Sequence, residues 1–103
     1  MAYKLNITDQ ANDLLDNIVF YLVFRLHTKQ GAEHLLNELD VIYERLKENP
    51  KQFPLSRDLF LARRGYHEAI VSGMNYLVVF SISNDTVNIV GIFHQLEDYS
   101  KKI

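Results

Sequence analysis

The chain has 103 residues, 48% of them hydrophobic, with no cysteine and a formal net charge of −2. That length suits a single domain over residues 1–103 and leaves no room for two ordinary cores. The absence of cysteine excludes a disulfide framework or thiolate metal site, and the slight acidity argues against a domain that grips nucleic acid through many phosphates.

The opening MAYKLNITDQ shows no apolar run led by basic residues, so no secretory signal is expected. The longest apolar run, Ile18 to Phe24, is too short to span a bilayer. A cytoplasmic protein with no membrane contact is the expectation. Residues 1–50 hold five Lys/Arg against eight Asp/Glu, and residues 51–103 hold six against five. Arg57, Arg63 and Arg64 form the densest basic cluster.

Tyr3 to Thr8 alternates apolar and polar residues, as a half-buried strand does. Thr8 or Asp9 then caps a helix by accepting from a free backbone N–H. Ala11, Leu14, Leu15, Ile18, Leu22 and Leu26 recur at helical spacing and define its core stripe. Phe20, Val23 and Phe24 fall opposite that stripe. Either a second helix or loop covers them, or they form a face for a partner chain. Thr28 to Gly31 reads as the break between helices. A second helix follows, with Ala32, Leu35, Leu36, Leu39, Ile42, Tyr43 and Leu46 on its apolar side. The short connection implies an antiparallel helical hairpin. Pro50 stops the second helix near Glu48.

Leu59 to Arg63 reads as a short strand or the approach to one, ended by Gly65. Three antiparallel strands are expected next: Tyr66 to Val71, Tyr76 to Ile82 and Thr86 to His94. Ser72–Asn75 and Asn84–Asp85 supply the turns. The middle strand is apolar on both faces, which marks it as central. In the last strand, alternation puts Val87, Ile89 and Phe93 on one face and Val90, Ile92 and His94 on the other. The tail closes with a short helical turn. The fold class is therefore α+β: an N-terminal strand, an antiparallel helical hairpin, then a three-stranded antiparallel meander. Helices on one side leave the other side of the sheet to be covered by a partner peptide, a second copy, or the chain's own tail.

The four histidines show no ligand spacing, so no metal is expected. No Gly-rich phosphate loop or nucleophile elbow occurs, and no cofactor is implied. Acid–base cleavage of RNA would need a base, an acid and cations together. Arg63, Arg64, His67, Glu68, His94 and Tyr99 could supply these if they converge. The plainer alternative is a partly buried His67 and solvated arginines.

The pattern as a whole resembles the RelE/ParE superfamily of type II toxin–antitoxin toxins. It is carried by the entry to the first helix from Thr8 through Tyr21, by Leu46…Asn49-Pro50…Phe53-Pro54, by Gly65-Tyr66-His67, by Tyr76-Leu77-Val78-Val79-Phe80, and by Val87 through Tyr99. The resemblance implies a cognate antitoxin as partner in a hetero-oligomer, with Phe20, Val23 and Phe24 as its candidate contacts. RelE-like members cleave mRNA on the ribosome; ParE-like members poison DNA gyrase. RelE-like members carry Arg after Gly-Tyr, where this chain has His67, and basic residues after the last strand, where it has His94-Gln95-Leu96-Glu97-Asp98. The resemblance therefore points to the ParE-like branch and gyrase, with Arg57, Arg63, Arg64, Asp98 and Tyr99 as candidate target contacts. The alternatives are a ribosome-dependent mRNA endonuclease using Arg63, Arg64, His67, His94 and Tyr99, or a decayed toxin that only binds its antitoxin.

Overall fold

The computed structural model describes residues 2–103. Strand β1 (Lys4–Ile7) leads into helix α1 (Asp9–Phe20), which runs on through a π turn (Tyr21–Arg25). Helix α2 (Lys29–Glu48) returns antiparallel, and a 3-10 turn (Pro50–Gln52) and a short helix α3 (Leu59–Arg63) follow. Strands β2 (His67–Ile70), β3 (Tyr76–Ser83) and β4 (Thr86–His94) complete the meander, and Tyr99–Lys102 forms a last 3-10 turn. The sheet order is β1-β4-β3-β2. The meander is antiparallel as expected, while β1 runs parallel to β4 and makes the sheet mixed.

Thr8 is the residue that caps α1. Its Oγ1 accepts from Ala11 N at 3.1 Å and donates to the Ile89 carbonyl at 2.9 Å. One side chain thus starts the helix and ties it to β4. Thr8→Ala is expected to cost about 1–2 kcal/mol of stability in a urea titration.

The connection between the helices differs from expectation. Gly31 lies inside the first turn of α2, and the break is at Leu26–Thr28, where His27 takes a left-handed φ of 52°. Thr28 caps α2 by accepting from Gly31 N at 2.9 Å. The π turn also changes which residues face inward. Leu26 N bonds to the Tyr21 carbonyl, five residues back, so the chain rotates less per residue than in an α-helix. Val23 turns in to pack on the core, and Leu26, assigned to the core stripe by spacing, is 53% exposed. In α2, Leu36 is exposed while Ala32, Leu35, Leu39, Ile42 and Leu46 are buried.

Leu59–Arg63 is helical, not a strand. Asp58 caps it, accepting from Leu61 N at 3.1 Å, and this local bond sets the helical first turn. Alternation fails in β4 as well. A β-bulge shifts the register, so that Val79 pairs with Gly91 and Phe80 with Ile89, leaving Val90 as the extra residue. The faces exchange at that point. Ile92 joins Val87 and Ile89 under the helices, and Phe93 goes to the opposite face.

Two cores result. The larger lies between the helical hairpin and one face of the sheet, centred on Leu35, Leu39, Val78, Phe80 and Ile89. The smaller, on the other face, joins Leu61, Leu77, Val79, Phe93 and Tyr99, with Tyr66 and Ile103 against it. Of the three covers considered for that face, the chain's own tail, together with α3, is the one that lies there.

Candidate functional site

The arrangement of β2 and the tail produces one buried ionic cluster. Glu68 projects from β2 onto the second face and is 2% exposed. Its carboxylate accepts from Arg57 Nε at 2.9 Å, Tyr99 OH at 3.3 Å and Ser56 Oγ at 3.4 Å. Arg57 also donates to Gln95 Oε1 at 3.4 Å. Burial and the nearby Glu68 carboxylate push the Tyr99 phenol above its usual pKa, although hydrogen bonding from Ser56 opposes them. Tyr99 stacks on Phe93 with ring centroids 5.5 Å apart. The cluster pins the tail to the sheet. Sequence reasoning named both Glu68 and Arg57 but did not pair them. The available signal was a carboxylate inside an apolar strand with an arginine one loop earlier.

His67 points the other way. Its ring stacks on Phe80 at 5.3 Å, and Nδ1 lies 3.0 Å from the Phe53 carbonyl oxygen, so it donates there. His94 meets Tyr76 edge-on at 5.6 Å, and its Nδ1 accepts from Leu96 N at 3.1 Å. His94 lines an open groove of about 400 Å³ together with Ile18, Tyr21 and Tyr76, whereas His67 lies away from it, on the edge strand β2. His67 is opposite Phe80 and His94 opposite Tyr76, four positions apart on β3, which is about 13 Å along a strand. Arg63 and Arg64 end α3, exposed to solvent, with the Arg64 guanidinium 4.1 Å from the Phe60 ring centroid. Tyr99 is on the opposite face of the sheet from both histidines. Among the described residues no hydrogen bond or ion pair joins any two of Arg63, Arg64, His67, His94 and Tyr99. Asp98 is exposed and pairs with Lys101 at 3.2 Å. No three His, Asp or Glu groups among the described residues come together as a metal site.

On the outer side of α1 the structure leaves two large aromatic rings in solvent. Phe20 is 57% and Phe24 62% exposed, and their centroids are 4.8 Å apart. Neither a loop nor α2 covers them. Val23 is half-buried against the main core and drops out of this face. Two adjacent solvated rings on a helix add little to stability and are a candidate surface for contact with another chain.

An N-terminal strand, two helices and a three-stranded antiparallel meander make this an α+β fold that is RelE/ParE-like by its match to solved structures. The chain superposes on a structure of the chromosomal ParDE toxin–antitoxin system from P. aeruginosa with a TM-score of 0.68, at 14% identity, over 90% of this chain and 96% of that one. It also superposes on the RelBE2 toxin–antitoxin complex from Mycobacterium tuberculosis with a TM-score of 0.61, at 20% identity, over 91% of this chain and 99% of that one. No curated protein matches it by sequence. The model of the ParE toxin of type II toxin–antitoxin systems, parDE, matches residues 5–99, and the chain belongs to that family.

Proposed function

We propose that this protein arrests growth by poisoning DNA gyrase and is neutralised in the cytoplasm by a cognate antitoxin bound at Phe20 and Phe24. The observation that carries the choice of target is the dispersal of the acid–base groups. Cleaving RNA requires base, acid and cations around one phosphate. In this ParE family member His67 and His94 sit far apart on the helical face, and Tyr99 is turned into the core of the other. Of the candidate target contacts, Arg63, Arg64 and Asp98 present charge to solvent, whereas Arg57 is shared with Glu68. No helix among the described residues is long and apolar enough to cross a membrane.

Purified protein is expected to inhibit gyrase supercoiling, and its expression alone to trigger DNA-damage signalling. Mixing in the antitoxin restores supercoiling. Arrest confined to translation, with supercoiling untouched, would instead identify an mRNA endonuclease. Harmless expression would identify a decayed toxin.

A further inference from the structure

The Phe20–Phe24 pair is the end of a longer strip. At about 100° per residue, Asp9, Asp13, Asp16 and Phe20 fall within an arc of about 60° on α1. All four are exposed, and Phe24 continues the line beside Phe20. Among the described residues none of the three carboxylates pairs with a cation. One helix face is thus acidic over its first two turns and aromatic over its last.

We propose that this strip docks a helical segment of the antitoxin that is cationic at one end and apolar at the other, with its basic end over Asp9, Asp13 and Asp16. The proposal rests on the antitoxin reading above and adds the chemistry and orientation of the partner. Charge complementarity selects the occupant. A second copy fits badly in either symmetric arrangement. Antiparallel pairing would bury each set of carboxylates under the other copy's phenylalanines without partners. Parallel pairing would set aspartate against aspartate. A segment with lysine or arginine on successive turns and leucine-like residues beyond them satisfies both halves of the strip. Its polarity is fixed, since a reversed segment would lay ammonium groups on Phe20 and Phe24 and alkyl groups on the aspartates.

The test titrates the intact chain with the protein encoded by the adjoining reading frame. Wild-type affinity is expected to fall between about 0.01 M and about 1 M salt as screening removes the ionic half of the contact. Combining Asp9→Asn, Asp13→Asn and Asp16→Asn should weaken binding about tenfold, as three exposed ion pairs would, and flatten the salt response. Asp13→Lys alone should weaken it while leaving thermal melting unchanged. Phe20→Ser with Phe24→Ser should weaken binding and preserve the salt response. Salt-independent binding, or Asn variants that bind like wild type, would overturn the inference and leave the antitoxin reading standing. No binding by the wild-type chain would overturn both. Self-association abolished by the Phe20→Ser and Phe24→Ser pair would show a second copy on the strip and overturn the inference.

Discussion

Arg57→Met is expected to destabilise the fold by about 2–3 kcal/mol, more than removing both members of its ion pair. The reason lies in the asymmetry of the pair. Glu68 is 2% exposed, whereas the Arg57 side chain is 59% exposed. Taking away the guanidinium leaves a buried carboxylate whose remaining donors, Ser56 Oγ and Tyr99 OH, are at 3.4 and 3.3 Å, long for bonds to an anion. Uncompensated buried charge costs about 3–5 kcal/mol in general, and the open outer side of Arg57, where water can enter, lowers that figure here. Glu68→Gln keeps the shape but has one acceptor oxygen, which can serve the two hydroxyls or Arg57 Nε and not both, so it should cost about 1–2 kcal/mol. Arg57→Met combined with Glu68→Met removes both charges and should lie between the two. Urea midpoints of the four proteins give the order directly. If Arg57→Met is as stable as wild type, the carboxylate is not held by the arginine and the tail is pinned by packing alone.

That cluster marks the limit of what the sequence discloses. Period-two alternation placed β1 and the first half of β4, and period 3.6 placed α2, because side chains along regular elements obey a fixed rotation; β3 was marked by an apolar run between two turns. Apart from Leu36, exposed on the regular helix α2, the misreadings fall at a break, a bulge or a loop. The π turn moves Val23 inward and Leu26 outward, although nothing in the run from Ile18 to Phe24 signals a five-residue bond. The bulge at Val90 sends Phe93 to the second face, so a face assignment counted from Val87 is correct to Val90 and inverted from Ile92 onward. Leu59–Arg63 is apolar enough for a strand, and the cap from Asp58 decides for helix. The candidate contact surface was partly legible, since phenylalanines at positions 20 and 24 are anomalous on a polar helix face. The ionic cluster was not. Pairing Arg57 with Glu68 depends on the path of the loop between them, where Glu68 N bonds to the Pro54 carbonyl and Ser56 N to the Tyr66 carbonyl. Those backbone bonds bring the arginine over the strand, and no periodicity encodes them.

The same bulge makes Gly91→Ala the most damaging small substitution expected in the chain. A methyl group at Gly91 would overlap the ring of Phe93, which the bulge has laid across that glycine. The ring has no room to yield. Phe93 is fully buried, and Leu77, Val79, Leu61 and Tyr99 enclose it. Swinging it aside would push Tyr99 away from Glu68 and lift the tail from the second face. Overpacking a dense core costs about 1–3 kcal/mol, and a rigid ring between strand backbone and a stacked tyrosine belongs at the top of that range. Against a total stability of about 5–15 kcal/mol this is a large loss. The cause can be isolated by a second substitution. Phe93→Leu alone leaves a cavity and should destabilise, yet in the Gly91→Ala background it should stabilise, because the smaller side chain removes the overlap. Such opposite signs at one position identify direct contact, which a general weakening of the strand would not produce. Thermal melts of the two single variants and the double variant supply the comparison. Additive losses, or a Gly91→Ala protein as stable as wild type, would mean that the ring does not rest on the glycine and that the bulge turns Phe93 to the second face for some other reason.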